Sequence, residues 1–241
     1  MGRMSETIHL RPHAEVAERV LLPGDPGRAL RLAQILVESP PRMLNHHRGL
    51  WGYTGVAPDG ELLTIQSTGM GGPSAAIVAE ELIVLGARRL VRVGTCGALD
   101  ASLQLGDLVV SSPVLGRDGT SRALGAPLEL DVDADLLEAL TAAAPDARRG
   151  AVVSSDLFYD RDPRRLAEWI AAGAVAVEME AAALLAVAAV HGVAAACVLA
   201  VSDTLIQDGR RRIDADGLLA AEHALGRVGA AALGAGAAEP A

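Results

Sequence analysis

The sequence predicts an α/β fold, with a mostly parallel or mixed sheet covered by helices on both faces. Three observations carry that expectation. Short apolar runs alternate with longer segments of helical periodicity. Of the 241 residues 51% are apolar, enough for a sizeable core. Polar or Gly-rich clusters recur at the ends of the strand candidates, and in open α/β sheets ligands bind beyond the carboxyl ends of strands. No long charge block, Pro-rich linker or internal repeat divides the chain, so residues 1–241 are expected to form one domain.

The first strand is expected at 19–22, running into Gly24-Asp25-Pro26-Gly27-Arg28. A second, 62–66, runs into Ser67-Thr68-Gly69-Met70-Gly71-Gly72, followed by a helical pattern over 75–85. A third, 90–93, meets Gly94-Thr95-Cys96-Gly97, and a fourth is expected at 108–111. Strand 151–153 leads into Ser154-Ser155-Asp156-Leu157-Phe158-Tyr159, and a helix is expected over 164–172. Strand 175–177 leads into Glu178-Met179-Glu180 and a helix over 180–190. Strand 195–201 leads into Ser202-Asp203, and a last helical pattern spans 215–233, with the Ala- and Gly-rich residues 227–241 expected to fray. Residues 181–200 are nearly all apolar, but His191-Gly192 break the run and Glu180 and Asp203 flank it. A buried helix, a Gly stop and a buried strand are expected there, not a membrane span. Glu6, Arg11, His13, Glu15, Glu18 and Arg19 interrupt the start of the chain, so no signal peptide is expected.

All 21 basic residues are Arg. The absence of Lys excludes a Walker-type phosphate loop, a Schiff-base cofactor and a Lys general base. Any phosphate must be held by Arg, backbone N–H groups and hydroxyls. The net charge of −9 speaks against nucleic acid, whose binders need clustered cations, but not against a small anion. The two cysteines, Cys96 and Cys197, are too few for a disulfide framework or a thiolate metal site. They are expected to be reduced core residues of a cytoplasmic protein.

Arg28 and Arg92 each stand beside glycines that let backbone N–H groups approach an anion, and Thr95 adds a hydroxyl. An isolated Arg is most often a salt-bridge partner. Arg92, however, interrupts Leu90-Val91-Arg92-Val93-Gly94, and a charge inside a buried strand is costly without a partner. Glu178 and Glu180 alternate with Met179, and a carboxylate suits a vicinal diol; alternatively Glu180 opens a helix, where the dipole favours an acid. Asp203, at the end of a central strand, suits a general acid or a helix N-cap. The aromatic residues are only Trp51, Tyr53, Phe158, Tyr159 and Trp169, so Phe158 beside a polar strand end offers a stacking surface for a flat base, or a core contact.

Together these clusters resemble the nucleoside phosphorylase-I family, close to its bacterial hexameric purine nucleoside phosphorylases. The matching motifs begin with Leu22-Pro23-Gly24-Asp25-Pro26-Gly27-Arg28, His47-Arg48-Gly49, Gly52-Tyr53-Thr54-Gly55 and Gly69-Met70-Gly71-Gly72-Pro73-Ser74. They continue with Arg92-Val93-Gly94-Thr95-Cys96-Gly97-Ala98, Ser155-Asp156-Leu157-Phe158-Tyr159, Val177-Glu178-Met179-Glu180-Ala181 and Val201-Ser202-Asp203. The resemblance implies a single-domain three-layer α/β/α fold with a central mixed, partly barrel-like sheet. It implies a phosphate site of Gly24, Arg28, Arg92 and Thr95, completed by Arg48 of an adjacent subunit, with His9 reaching into the neighbour's site. It implies that Met179 and Glu180 contact ribose, and that Phe158, Val177 and Glu178 line the base pocket. Asp203 would protonate purine N7, assisted by Arg210, with Arg211 and Arg212 as alternatives.

The implied reaction is phosphorolysis of purine nucleosides to free base and ribose 1-phosphate. It needs no metal or organic cofactor, since inorganic phosphate is a co-substrate. The implied assembly is a homo-oligomer, a hexamer of three dimers with sites shared across each dimer. Three rivals remain. A uridine phosphorylase of the same family is favoured by Arg117-Asp118-Gly119-Thr120-Ser121, but the stretch 159–177 lacks that branch's Gln-x-Arg clamp. A nucleoside hydrolase using water would lack the phosphate arginines. A non-catalytic nucleoside-binding protein would not need Asp203.

Overall fold

The computed structural model describes residues 7–38, 40–205 and 210–236. In chain order the elements are β1 (Arg19–Leu22), α1 (Pro26–Leu36), β2 (Arg42–Asn45), a 3-10 turn (His47–Gly49), β3 (Gly52–Val56), β4 (Leu62–Gln66) and α2 (Gly72–Val84). There follow β5 (Arg89–Ala98), β6 (Leu108–Gly116), α3 (Gly119–Ala123), β7 (Glu129–Leu130), α4 (Ala134–Ala143), β8 (Arg148–Ser154) and α5 (Pro163–Ala171). The chain continues through β9 (Ala174–Glu178), α6 (Ala181–His191), β10 (Ala194–Thr204), β11 (Arg211–Arg212) and α7 (Ala215–Ala232).

All strands belong to one mixed sheet, ordered β11-β10-β6-β8-β9-β5-β1-β4-β3-β2, with β7 beside β6. Because β5 also pairs with β10, the strands β5, β10, β6, β8 and β9 close into a barrel-like arrangement of five. This is the α/β architecture that the sequence pattern predicts, with the partly barrel-like mixed sheet that the family resemblance implies.

Period-2 alternation explains why β10 reads as a continuous apolar run. Ala195, Cys197, Leu199 and Val201 pack with α2 and α6, while Ala196, Val198 and Ala200 pack with α1, α4 and α7. Helix α6 is buried along Ala181–Ala188 and ends where Gly192 adopts the left-handed conformation (φ 63°, ψ 35°). That is the helix, stop and strand expected over 181–200, and no described helix is long and apolar enough to cross a membrane.

Three local expectations need correction. Residues 24–28 are not simply a turn: Pro26 opens α1, and Asp25 caps it by accepting the Arg28 N–H at 2.6 Å. Arg28 therefore stands in a helix's first turn. The strands expected at 90–93 and 195–201 run on to Ala98 and Thr204, because β5 and β10 pair along their length in the barrel wall. Residues 227–236 do not fray: α7 continues to Ala232, and Ala230, Ala232, Leu233 and Ala235 are buried. Arg89 on β5 donates to Ala232 O at 3.3 Å and Leu233 O at 3.4 Å, satisfying carbonyls at the helix end. Residues 237–241 lie outside the described residues.

Close packing of α7 on the sheet depends on its glycines. A Cβ at Gly229 would lie 2.7 Å from Val93 Cγ1 and 2.9 Å from Leu21 Cδ2, both fully buried side chains. Gly229→Val should therefore lower unfolding free energy by about 2–3 kcal/mol through overpacking, with only about a few tenths of a kcal/mol of helix-propensity gain to offset it. Urea denaturation checks this, and a variant as stable as the parent would mean that α7 can move off the sheet.

Candidate active site

The centre of the site is Arg92, a buried guanidinium in β5 with 4% exposure. Gly94 makes its position possible, because a Cβ there would lie 2.7 Å from Arg92 Nη2. Arg92 Nε donates to Glu178 Oε2 at 2.8 Å, and Nη2 donates to Glu180 Oε2 at 2.5 Å. Nη1 is buried and has no partner among the described residues.

The two carboxylates are themselves held at the start of α6. Glu178 accepts the N–H of Glu180 at 2.8 Å and of Ala181 at 3.0 Å, and the Ser154 hydroxyl. It thus serves the helix terminus, where an anion is favoured. Glu180 occupies the N-cap position, yet its side chain makes no capping bond. Its Oε1 instead accepts the Gly71 N–H at 2.5 Å, tying the loop after β4 to the barrel end.

Burial pushes the Glu180 carboxyl above its ordinary value, opposed by the Arg92 charge and, more weakly, by Arg28. Burial works against the charge on Arg92, but Glu180 and Glu178 outweigh it and hold the guanidinium protonated. Desolvation also raises both thiols, so Cys96 and Cys197 are neutral, free core residues.

The other residues expected at a phosphate site lie on elements that adjoin β5 or on β5 itself. Gly24 stands one residue beyond the residue that follows β1, whose Leu22 pairs with Arg92, and its carbonyl accepts the Gly69 N–H at 3.1 Å. Arg28, 6% exposed, bonds Glu222 Oε1 at 2.9 Å and Val93 O at 3.4 Å. Thr95 is half-buried further along β5.

Asp203 follows a register shift in β10 after Val201 that re-aims the strand end. Its Oδ2 accepts from Ser202 Oγ at 2.9 Å and its Oδ1 from Arg210 Nε at 3.2 Å. Arg210 Cζ lies 4.9 Å from the centre of the Phe158 ring, which is 48% exposed. Tyr159 packs edge-on against Phe158. Among the three arginine candidates, it is Arg210 that reaches the acid; Arg211 and Arg212 sit exposed on β11. Val177 packs on the cluster containing Trp169, and Met179 is half-buried between β9 and α6.

His9 and Arg48 form a separate group. The Glu81 carboxylate on α2 accepts the N–H groups of Ile8, His9 and Leu10 and meets His9 Nδ1 at 2.8 Å. His47 Nδ1 lies 3.0 Å from His9 O, and the exposed Arg48 takes a left-handed conformation (φ 59°, ψ 18°). Among the described residues no hydrogen bond or ion pair joins His9 or Arg48 to Arg92. Asp118, in the segment resembling the uridine branch, caps α3 through the Ser121 N–H at 2.7 Å.

Sequence reasoning missed Glu222 and Glu81, and it named Ser154 and Gly71 only as members of strand-end clusters, without these contacts. Glu222 had a signal, as an acid among Ala and Leu on the core face of the last helix. The Gly71 amide had none, because a backbone donor has no residue type.

A known family's sequence pattern, described as the phosphorylase superfamily, matches residues 18–233. The chain belongs to the phosphorylase superfamily. Guanosine phosphorylase of Halorubrum lacusprofundi is 36% identical over 221 residues, covering 88% of this chain and 90% of that protein. Purine nucleoside phosphorylase DeoD-type of Alkaliphilus metalliredigens is 37% identical over 212 residues, covering 85% and 90%. The protein of the same description from Jannaschia sp. is 38% identical over 210 residues, covering 84% and 89%.

In this phosphorylase-superfamily chain, Arg92→Met leaves Glu178 and Glu180 buried without their cation and should cost about 3 kcal/mol or more. A carboxyl raised on folding contributes fully below its unfolded value and has lost that contribution once pH has risen through its folded value. Losing Arg92 raises Glu180 further, so the deficit should be largest near about pH 8 and shrink toward about pH 5. Urea unfolding at both pH values checks it; a deficit independent of pH would show that neither carboxylate stays dry.

Proposed function

We propose that this protein cleaves purine nucleosides with inorganic phosphate, releasing the free base and ribose 1-phosphate. The observation that carries this reading is Arg92 Nη1, a buried cationic donor without a partner among the described residues. A buried donor left open is costly, and an oxyanion would satisfy it with a charge-assisted bond. Arg28 in the first turn of α1, Thr95 on β5 and the backbone at Gly24 after β1 supply the remaining donors. The relatives named for guanosine and purine nucleosides support the choice of substrate.

Phosphate takes Arg92 as its partner, and Glu180, still fixed by the Gly71 N–H, turns its free oxygen to the 2′- and 3′-hydroxyls of ribose. Met179 gives the sugar an apolar face. As the glycosidic bond breaks, positive charge develops at C1′; phosphate stabilises it and then attacks that carbon. Asp203 donates its proton to purine N7, so the base departs neutral. Arg210 orients Asp203 and stabilises the carboxylate left behind, while Phe158 stacks on the base and Val177 and Glu178 close its pocket. The reaction calls on no metal or organic cofactor. Arg48 and His9 complete the site of an adjacent copy in a homo-oligomer.

The test is a panel of inosine, guanosine, adenosine and uridine, each with and without phosphate. Purine nucleosides should turn over only with phosphate. Preference for uridine, or equal turnover in water alone, would overturn the reading.

An adenine anion leaves less readily than a 6-oxopurine anion, so its departure depends more on the proton from Asp203. Asp203→Asn should therefore reduce kcat/KM for adenosine about 10-fold more than for inosine. Equal losses would reduce Asp203 to a positioning role, and a parent inactive on adenosine would confine the enzyme to 6-oxopurines.

Arg48→Ala and Glu180→Ala subunits, each inactive alone, should regain activity when co-expressed, because some shared sites then receive both intact residues. Mixed oligomers that form yet stay inactive would refute the sharing.

A further inference from the structure

We infer that Glu222 is a positioning residue for Arg28, holding its guanidinium toward phosphate from the C-terminal helix. The inference rests on the phosphate reading of Arg28. Glu222 is 2% exposed in a stretch of α7 that is otherwise Ala, Leu and Gly with one His, where a lone carboxylate would be costly. Both of its oxygens are engaged by α1. Oε1 accepts from Arg28 Nε at 2.9 Å, and Oε2 accepts from Arg31 Nε at 2.9 Å and Nη2 at 2.6 Å.

Two features separate this arrangement from a plain tie between helices. First, Arg28 is fixed at two points, Nε on Glu222 and Nη1 on Val93 O at 3.4 Å. A planar guanidinium held at two nitrogens has a set plane, and among the described residues no hydrogen bond uses its Nη2. Second, Glu222 gives Arg28 only one of its oxygens and gives the other to Arg31, which also lies 3.5 Å from Asp25, the residue that caps α1. The outer arginine thus belongs to the same helix start and shares the Glu222 carboxylate, which does not pair with Arg28 alone.

The reach of Glu222 depends on how closely α7 lies on α1. A Cβ at Gly226, one turn further on, would come 2.3 Å from Leu32 Cδ2 of α1. The helix that carries the carboxylate is thus pressed onto the helix that carries the arginines.

Kinetics with inosine and varied inorganic phosphate, on Glu222→Gln, Arg28→Ala and the double variant, test the role. Glu222→Gln keeps the size of the side chain and removes its charge. The phosphate KM should rise about 10-fold, with inosine KM and kcat at saturating phosphate within about 2-fold of the parent. In the Arg28→Ala background the same change should add little, because Glu222 acts through Arg28. If Glu222→Gln does not fold, Glu222→Asp, which keeps the charge but draws it back by a methylene, takes the same readouts. The rise in Tm on adding phosphate should be smaller for it than for the parent. An unchanged or lowered phosphate KM in a folded variant overturns the role, and so does an additive loss in the double variant. A parent without phosphate-dependent turnover, or Arg28→Ala with unchanged phosphate KM, overturns the phosphate reading itself and takes the role of Glu222 with it.

Discussion

One buried guanidinium organises the functional end of this molecule. Arg92 sits inside the barrel wall, where a charge is tolerated only with partners, and its partners come from elsewhere in the chain. Glu178 ends β9 and Glu180 opens α6, so the ion pairs fix where that strand must stop and that helix begin. Ser154 at the end of β8 and Gly71 after β4 are drawn in by the same two carboxylates. The ends of β8 and β9, the loop after β4 and the start of α6 are thereby drawn around one cation. The barrel provides the geometry, and the charge makes any other register costly.

Such a cluster is poorly explained by stability alone. Replacing a buried ion pair with well-packed apolar residues is often neutral or stabilising, whereas removing one partner is strongly destabilising. Arg92 also keeps one nitrogen unpaired among the described residues, so the cluster is incomplete as a structural device. An incomplete buried polar network is where departures from good packing coincide with function. The same reasoning separates Arg92 from Arg19, whose three nitrogens are all taken by Asp59 and the carbonyls of Glu61 and Leu62.

The sheet was legible in sequence because β1, β4, β5 and β10 are short apolar runs closed by glycines or polar residues. Helix α1 was hidden because Gly24, Asp25, Pro26 and Gly27 read as a turn, while Asp25 and Pro26 were in fact its cap and first residue. The extended ends of β5 and β10 were hidden because Gly94, Thr95, Gly97 and Ser202 are poor strand formers, held in register by barrel closure. The ordered end of α7 was hidden because Ala and Gly looked too small to anchor a helix. Smallness was what let the helix approach β1 and β5, and Arg89 closes its end from the sheet.

The site was legible where a residue type conflicted with its surroundings, as with Arg92 in an apolar strand or Asp203 after one. It was illegible where the decisive group was a backbone amide, as at Gly71, or a partner far away in sequence, as with Glu222. The choice among Arg210, Arg211 and Arg212 shows the limit most clearly. Three identical residues in a row carry no internal distinction, and only strand geometry makes one. Arg211 and Arg212 pair with Thr204 and Asp203 through their backbones, which leaves Arg210, just before β11, as the side chain that meets the Asp203 carboxylate and crosses the Phe158 ring. The short antiparallel return of β11 along β10 is therefore what converts an ambiguous run of arginines into one placed cation.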